Sequence, residues 1–587
     1  MSAKISRYFP FFVFIVCCCV VIQAESPEVT NIKAFYRDGQ TFVTWKDVAE
    51  GEEGAKYRYS VYRSDEPITQ ENLEKAERVI HGILNNSCKL AGTDFMQKDR
   101  LDPKWPTCKL VEGGKPLPMW TGVGVHTVTK DGKGYYAVVV TDLELKPVSK
   151  IIPGKSATTG PIEEKVAPIQ PIKQIDSKEQ EVKARAITGK KGLPMGLALH
   201  ASCGSKPRVA RYGDVYLYFG RREWGHRSGL PCNFTVAEAA GKLTLYPRDT
   251  VLRTSGNYGL ETMWVGYFCK PYWSKDSEPR AYLFTEKKLE WIIDWVVKKY
   301  GVDPNRIDAG GGSMGSLGST IFGLRRPRIF SVLYASTTPG HLWWLMSMIG
   351  SRRKLALKCP TTDKVLSSKA ARILKNKPPL LPDGKTEYFD HTNMIKFVKG
   401  HPGDLAFFCY VGGRKEGNPK AGYAKWPNQV ALAKALMAGH HGFGFGWDNG
   451  GHGSAHTQFR LLKKYYPPTL FALNKSYPAF GNSSIDDDPG PDGPKEGYIN
   501  IGFVWKDVID EEGKWSAVIS NGEAKKDMSA DVTPRRCQTF KVKPGEEYKW
   551  KTDTGDTGTV KADEHGLITV QQVKIPHGKK VTLTIQR

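Results

Sequence analysis

Arg306 to Thr320 reads RIDAGGGSMGSLGST, and Gly311-Gly312-Ser313-Met314-Gly315 at its centre is a G-x-S-x-G pattern. Its weight comes from its neighbours, because a chain with 60 glycines meets a three-position pattern by chance. Upstream, Leu289, Ile292, Ile293, Val296, Val297 and Tyr300 recur at the spacing of an amphipathic helix packed on a sheet. Thr285 is placed to cap its start and Gly301 its end. Arg306 to Ala309 then reads as a short buried strand, and Met314 to Gly323 has the small residues that let a second helix pack closely. Strand, sharp turn and helix is the setting that lifts a serine hydroxyl above the C-terminal edge of a parallel sheet. Ser313 is therefore the candidate nucleophile.

A serine hydroxyl needs a base to take its proton and an acid to hold that base in one tautomer. In this architecture the order along the chain is serine, acid, histidine. Leu405 to Val411 is an apolar run of strand length, and Glu416 lies in the glycine-rich loop after it. Asn428 to Met437 reads as a helix, Gly442 to Trp447 as a strand, and Asp448 to Gly453 as the loop that carries His452. His452 is the candidate base and Glu416 the candidate acid. Asp448 competes for the acid role, Asp404 precedes the strand and falls at its wrong end, and His456 is a rival base. His440 and His441 end a helix, where a positive imidazole suits the helix dipole. The backbone N–H of Met314 is one expected oxyanion donor. Ala201 or Ser202, in the loop after the apolar strand Met195 to Leu199, is the expected source of the other.

With Ser313, Glu416, His452 and the segment Leu199 to Ser205 in view, residues from about 190 to 470 resemble the secreted serine esterases of the α/β-hydrolase superfamily. The feruloyl-esterase and polyhydroxyalkanoate-depolymerase-like branch is the nearest in pattern. The resemblance implies a doubly wound, mostly parallel sheet flanked by helices, hydrolysis through an acyl-enzyme, and no cofactor. Two departures stand out: Glu416 in place of the commoner aspartate, and His200-Ala201 in place of His-Gly. Thr30 to about Lys165, with Phe42 to Trp45, Tyr57 to Tyr62 and Gly134 to Val140 as short alternating strands, resembles a fibronectin type III module.

The expected organisation is a signal peptide over 1–24, a fibronectin-like β-sandwich over 25–165, a Pro- and Lys-rich linker over 166–190, the α/β-hydrolase core over 191–472 and a second small β-sandwich over 473–587. Lys4 and Arg7 ahead of the apolar run Phe11 to Ile22, with Ala24 at the cleavage point, give the leader. They imply export to the extracellular or periplasmic space, with no membrane span in the mature chain. Eight cysteines then remain, an even number compatible with disulfides, and Cys88 with Cys108 is the expected local pair. Scattered cysteines without a C-x-x-C motif argue against zinc. Asp486 to Asp492 offers hard oxygen ligands, yet without a full calcium-loop signature it reads as a solvated acidic turn.

The formal net charge of +24 is concentrated: residues 1–180 carry +1, 181–472 carry +24 and 473–587 carry −1. Such a field raises the association rate of anionic substrates, so the expected substrate is an acyl or feruloyl ester on an acidic or sulfated polysaccharide. No nucleic-acid-binding motif accompanies the charge. Trp343 and Trp344 follow the next strand after the nucleophile helix and are the expected pocket aromatics, with Trp264, Tyr267, Tyr272 and Trp273 as a second cluster. Two other functions fit the same pattern, a peptidase related to the prolyl oligopeptidases and a non-catalytic polysaccharide-binding protein on an inactive hydrolase fold.

Overall fold

The computed structural model describes residues 26–88, 107–143, 146–173, 192–199, 214–218, 231–239, 241–247, 250–251, 260–261, 264, 267–269, 280–338, 380–381, 383–416 and 426–587. At its centre is a sheet of ten strands. Six of them, Lys242–Pro247, Met195–Leu199, Ile307–Gly312, Val332–Ser336, Phe407–Gly413 and Phe443–Asp448, lie side by side in that order and run parallel. Antiparallel strands extend both edges: Pro231–Ala239, Asp214–Tyr218 and Ile172–Lys173 on one, Gly497–Ile499 on the other. The sheet thus draws hydrogen-bonded strands from chain outside 191–472.

A parallel sheet covered on both faces needs strands that are apolar throughout rather than alternating. Phe407–Gly413 meets that condition, with every position buried. On one face Ile307, Ala309, Leu333, Phe408 and Phe445 pack with Leu289, Ile292, Leu317 and Ile321 of two helices. Those helices are Phe284–Tyr300 and Met314–Leu324. The anticipated apolar stripe is the buried face of the first, and Gly301 ends it in the left-handed conformation (φ 61°), which only glycine adopts without strain. The start differs from expectation. Leu283 holds the N-cap position without a side-chain bond, and Thr285 is buried within the first turn.

On the opposite face Val332, Tyr334, Phe407, Cys409 and Val411 share one core with Leu462 and Tyr466, and with Phe471, Phe503, Trp505 and Trp515. Residues beyond 473 therefore bury this face of the sheet. They form a five-stranded and a three-stranded antiparallel sheet. Near the N-terminus, sheets of three and four strands enclose Val43, Trp45, Tyr59, Val61, Tyr136 and Val138.

The expected Cys88–Cys108 bridge is not formed. Cys88, Cys108, Cys409 and Cys537 make no disulfide. The first two are neighbours, with Cys108 N–H donating to Cys88 O at 2.7 Å, but the Cys88 thiol is directed to Asn86 Oδ1 and to the Pro118 carbonyl. Among the described residues no helix is long and apolar enough to cross a membrane. The leader 1–24 lies outside the described residues.

Candidate active site

Strand Ile307–Gly312 passes into helix Met314–Leu324 through Ser313 alone, at φ 55° and ψ −117°. A non-glycine residue held there costs about 1–3 kcal/mol and persists only when its surroundings impose it. They do so here. Ser313 N–H donates to Ser336 O (3.0 Å) and to Thr337 Oγ1 (3.3 Å) on the neighbouring strand end, while Ser313 O accepts from the N–H groups of Ser316 and Leu317. The glycines supply clearance. A Cβ at Gly311 would lie 2.4 Å from the Gly315 carbonyl and 2.5 Å from Leu199 O. Since both obstacles are backbone, Gly311→Ala is expected to destabilise the fold by about 3 kcal/mol, read as a lower urea midpoint; an unchanged midpoint would show that the elbow has slack.

Ser313 Oγ is 2.7 Å from His452 Nε2, and His452 Nδ1 is 2.7 Å from Glu416 Oε1. The two residues after Ser313 in this chain of contacts come from the ends of the adjacent strands Phe407–Gly413 and Phe443–Asp448. A carboxylate can only accept, so Nδ1 carries the proton and donates it to Glu416, which leaves the Nε2 lone pair facing the serine hydroxyl. Glu416 is buried and its other oxygen, Oε2, accepts from Gln429 Nε2 at 2.9 Å. Gln429, fully buried on helix Trp426–Ala438, was not anticipated. Its one signal in the sequence is a polar residue on an otherwise apolar helix face.

The Asp448 carboxylate is taken up within its own loop. Its Oδ1 accepts from Gly450 N–H (2.9 Å) and Ser454 Oγ (2.6 Å), and its Oδ2 from Ala455 N–H (2.6 Å), so it closes the loop that carries His452. Asp404 lies at the far end of its strand, as anticipated, and is engaged by Arg535. His456 opens helix His456–Tyr465 and is exposed. Burial lowers the pKa of both His440 and His441, and His441, with the Arg535 charge adding to the effect, is pushed down to about 3, so this helix end does not favour the positive imidazole expected there.

Met314 N–H is in the first turn of its helix, among the donors a helix leaves without an intrahelical acceptor. Ala201 and Ser202 lie outside the described residues, as do Trp343, Trp344, Tyr272 and Trp273. Strand Met195–Leu199 pairs with the strand that leads to Ser313, Leu199 opposite Gly311, so the chain leaves it beside the Ser313 turn. Trp264 is a core residue: it is buried against helix Met314–Leu324, where a Cβ on Gly318 would lie 2.5 Å from its ring. The acidic turn is more structured than a solvated one. Asp486 accepts from the N–H groups of Asn500 and Ser483, Asp487 from Tyr498 and Asp488 from Gly490, and burial pushes the Asp486 carboxyl up to about 7.

The hydrogen bond that His452 Nδ1 donates to Glu416 raises the His452 pKa above its ordinary value, against an opposing effect of partial burial. A base works only when neutral. The acid limb of kcat/KM is therefore expected to show an apparent pKa above the ordinary ~6.5 of histidine, with activity lost as pH falls through it. An acid limb below that value would contradict the arrangement.

No family model and no curated protein matches this chain. Solved structures to which the chain is similar include an S-formylglutathione hydrolase from Agrobacterium tumefaciens (13% identity, 48% of this chain and 84% of that one, TM-score 0.29). A ferulic acid esterase (16% identity, 48% and 85%, TM-score 0.27) is another. The fluorophosphonate-binding serine hydrolase F of Staphylococcus aureus (11% identity, 51% and 89%, TM-score 0.28) is a third.

Proposed function

We propose that this protein is a serine hydrolase that cleaves carboxylic esters through an acyl-enzyme. The observation that carries the reading is the continuous contact from Ser313 Oγ through His452 to a buried Glu416, with 2.7 Å at each step. His452 Nε2 accepts the serine proton as Oγ attacks the ester carbonyl, and the resulting imidazolium is held by Glu416. The tetrahedral oxyanion is received by Met314 N–H with a second donor from Ala201 or Ser202. On collapse, His452 returns the proton to the departing alcohol, and water repeats the cycle on the acyl-serine. No cofactor takes part in this scheme.

The substrate we propose is an acetyl or feruloyl ester on an anionic or sulfated polysaccharide. Its support is the net +24 confined to residues 181–472. In the same proposal Trp343 and Trp344 line the acyl pocket, the protein is exported, a fibronectin type III-like module over 25–165 serves as a spacing or docking element, and a β-sandwich over 473–587 follows the 191–472 core.

The test is a panel of acetyl, feruloyl, polyester and peptide substrates, run on the parent and on Ser313→Ala across a salt series. Hydrolysis of esters, faster on anionic ones and weakened by salt as screening requires, is the expected result. Preference for amides would favour a peptidase. Polysaccharide binding without reaction toward a fluorophosphonate probe would favour an inactive scaffold. Equal, salt-independent rates on charged and neutral esters would remove the polyanion.

A further inference from the structure

The loops that carry Glu416 and His452 are bonded to each other. Arg414 N–H donates to Asp448 O at 2.8 Å, Lys415 N–H to Gly450 O at 2.9 Å, and Gly413 sits so close that a Cβ there would lie 2.3 Å from Gly450 O. Two such loops can still move together, or shear by a fraction of an ångström, unless something outside them fixes one. Arg414, two residues before the acid, reaches outward. Its Nη1 donates to Gly493 O (2.6 Å) and Pro494 O (2.5 Å), and its Nη2 to Gly490 O (2.6 Å) and Pro491 O (3.0 Å). Four carbonyls of one short loop thus converge on one guanidinium, which also lies 5.7 Å from the centre of the Trp426 ring.

The receiving loop is itself anchored. Pro489 O accepts from Trp426 Nε1 and Pro494 O from Trp447 Nε1, each at 3.1 Å, and Asp488 Oδ1 accepts from Gly490 N–H at 2.8 Å. The chain then enters strand Gly497–Ile499, which pairs with Phe443–Asp448, Gly497 opposite Trp447. The strand leading into the histidine loop and the strand leaving the carbonyl loop are therefore neighbours in one sheet. A cation beside an acid in a basic protein would ordinarily read as a hook for anionic substrate. Here the planar fork faces carbonyl dipoles, a geometry that the single ammonium of a lysine does not reproduce.

We infer that Arg414 is a positioning residue, clamped by the 490–494 carbonyls, that holds Glu416 in register with His452 and so makes the segment beyond 473 part of the working site. The inference rests on the reading of Glu416 and His452 as acid and base.

Full-length Arg414→Ala and Arg414→Lys test it, each checked by thermal denaturation for folding, with Arg414→Lys deciding if the alanine variant does not fold. The first readout is the titration of the His452 ring by 15N NMR, which needs no turnover. It is expected to be raised in the parent and to fall back toward ordinary histidine in both variants, with loss of the downfield Nδ1 proton. The second is kinetic: kcat lower by about 10²-fold, the size of effect that small misplacement of a reacting group produces, with KM for a neutral ester within about twofold. An active parent whose variants keep the His452 titration and kcat would overturn the clamp while leaving the esterase reading intact. A raised KM confined to anionic esters, at unchanged kcat, would also overturn it and make Arg414 a substrate contact. An inactive parent in which the His452 titration still responds to Arg414 would sink the esterase reading and leave the clamp standing.

Discussion

Replacing Ser313 with alanine is expected to lower kcat/KM on a simple aryl ester by on the order of 10⁵-fold, as loss of the attacking atom does in a cooperative serine-histidine-acid set. Only the oxyanion donors and substrate binding would remain to act on water. The variant should fold normally, because the Ser313 contacts that shape the elbow are made by its backbone: N–H to Ser336 O and Thr337 Oγ1, and O to the N–H groups of Ser316 and Leu317. Alanine preserves all four. What the substitution takes away is the hydrogen bond between Oγ and His452 Nε2. Covalent labelling by a fluorophosphonate should disappear with activity, and a Ser313→Ala protein that still labels or still turns over within about tenfold of the parent would move the nucleophile elsewhere.

Glu416→Gln is expected to cost about 10⁴-fold in kcat near neutral pH, with little change in shape. The neutral amide removes the charge that stabilises the imidazolium. It also lets its N–H₂ group face Nδ1, which favours the tautomer whose proton points at Ser313 and so disables the base. Because the Glu416 hydrogen bond is the largest cause of the raised His452 pKa, the residual activity should also have its acid limb at lower pH. The control is Asp448→Asn. Its carboxylate receives Gly450, Ser454 and Ala455 rather than the imidazole, so its loss should loosen the histidine loop and reduce kcat by about tenfold without moving the His452 titration. If the two variants exchanged these effects, the acid would be Asp448.

Much of the candidate site was legible because its parts are local patterns. The elbow needs small residues at fixed offsets, and those offsets are visible in Gly311, Gly315 and Gly318; a side chain at Gly311 or Gly318 would collide with another part of the chain, and the Gly315 backbone is what Gly311 meets. Two of the parallel strands, Met195–Leu199 and Phe407–Gly413, announce themselves as apolar runs, and the helix Phe284–Tyr300 by its 3.6-residue stripe. What was not legible is non-local. Ile172–Lys173 and Gly497–Ile499 join the sheet from before and after the 191–472 segment, and nothing in two or three residues specifies the partner that their hydrogen bonds will find. Gln429 and Arg414 look like ordinary polar residues until the fold brings Glu416 to one and four carbonyls to the other. His441 looked like a helix-end histidine, and its burial with the Arg535 charge, which disfavours the protonated form, is set by the fold alone.

The order of a serine on a strained turn, a glutamate after the next apolar run but one, and a histidine after the strand beyond it is a property of the amino-acid string, since each element is encoded by its own few residues. Which carboxylate meets the imidazole is not. Gly413 and Asp448 stand opposite each other in the parallel sheet, so two acids leave neighbouring strand ends within a few residues of the same histidine. The choice between them falls to side-chain direction and competing donors: backbone N–H groups draw Asp448 into its own loop, while a buried amide steadies Glu416 toward His452. Those donors come from separate stretches of chain, and only packing sets the distances between them.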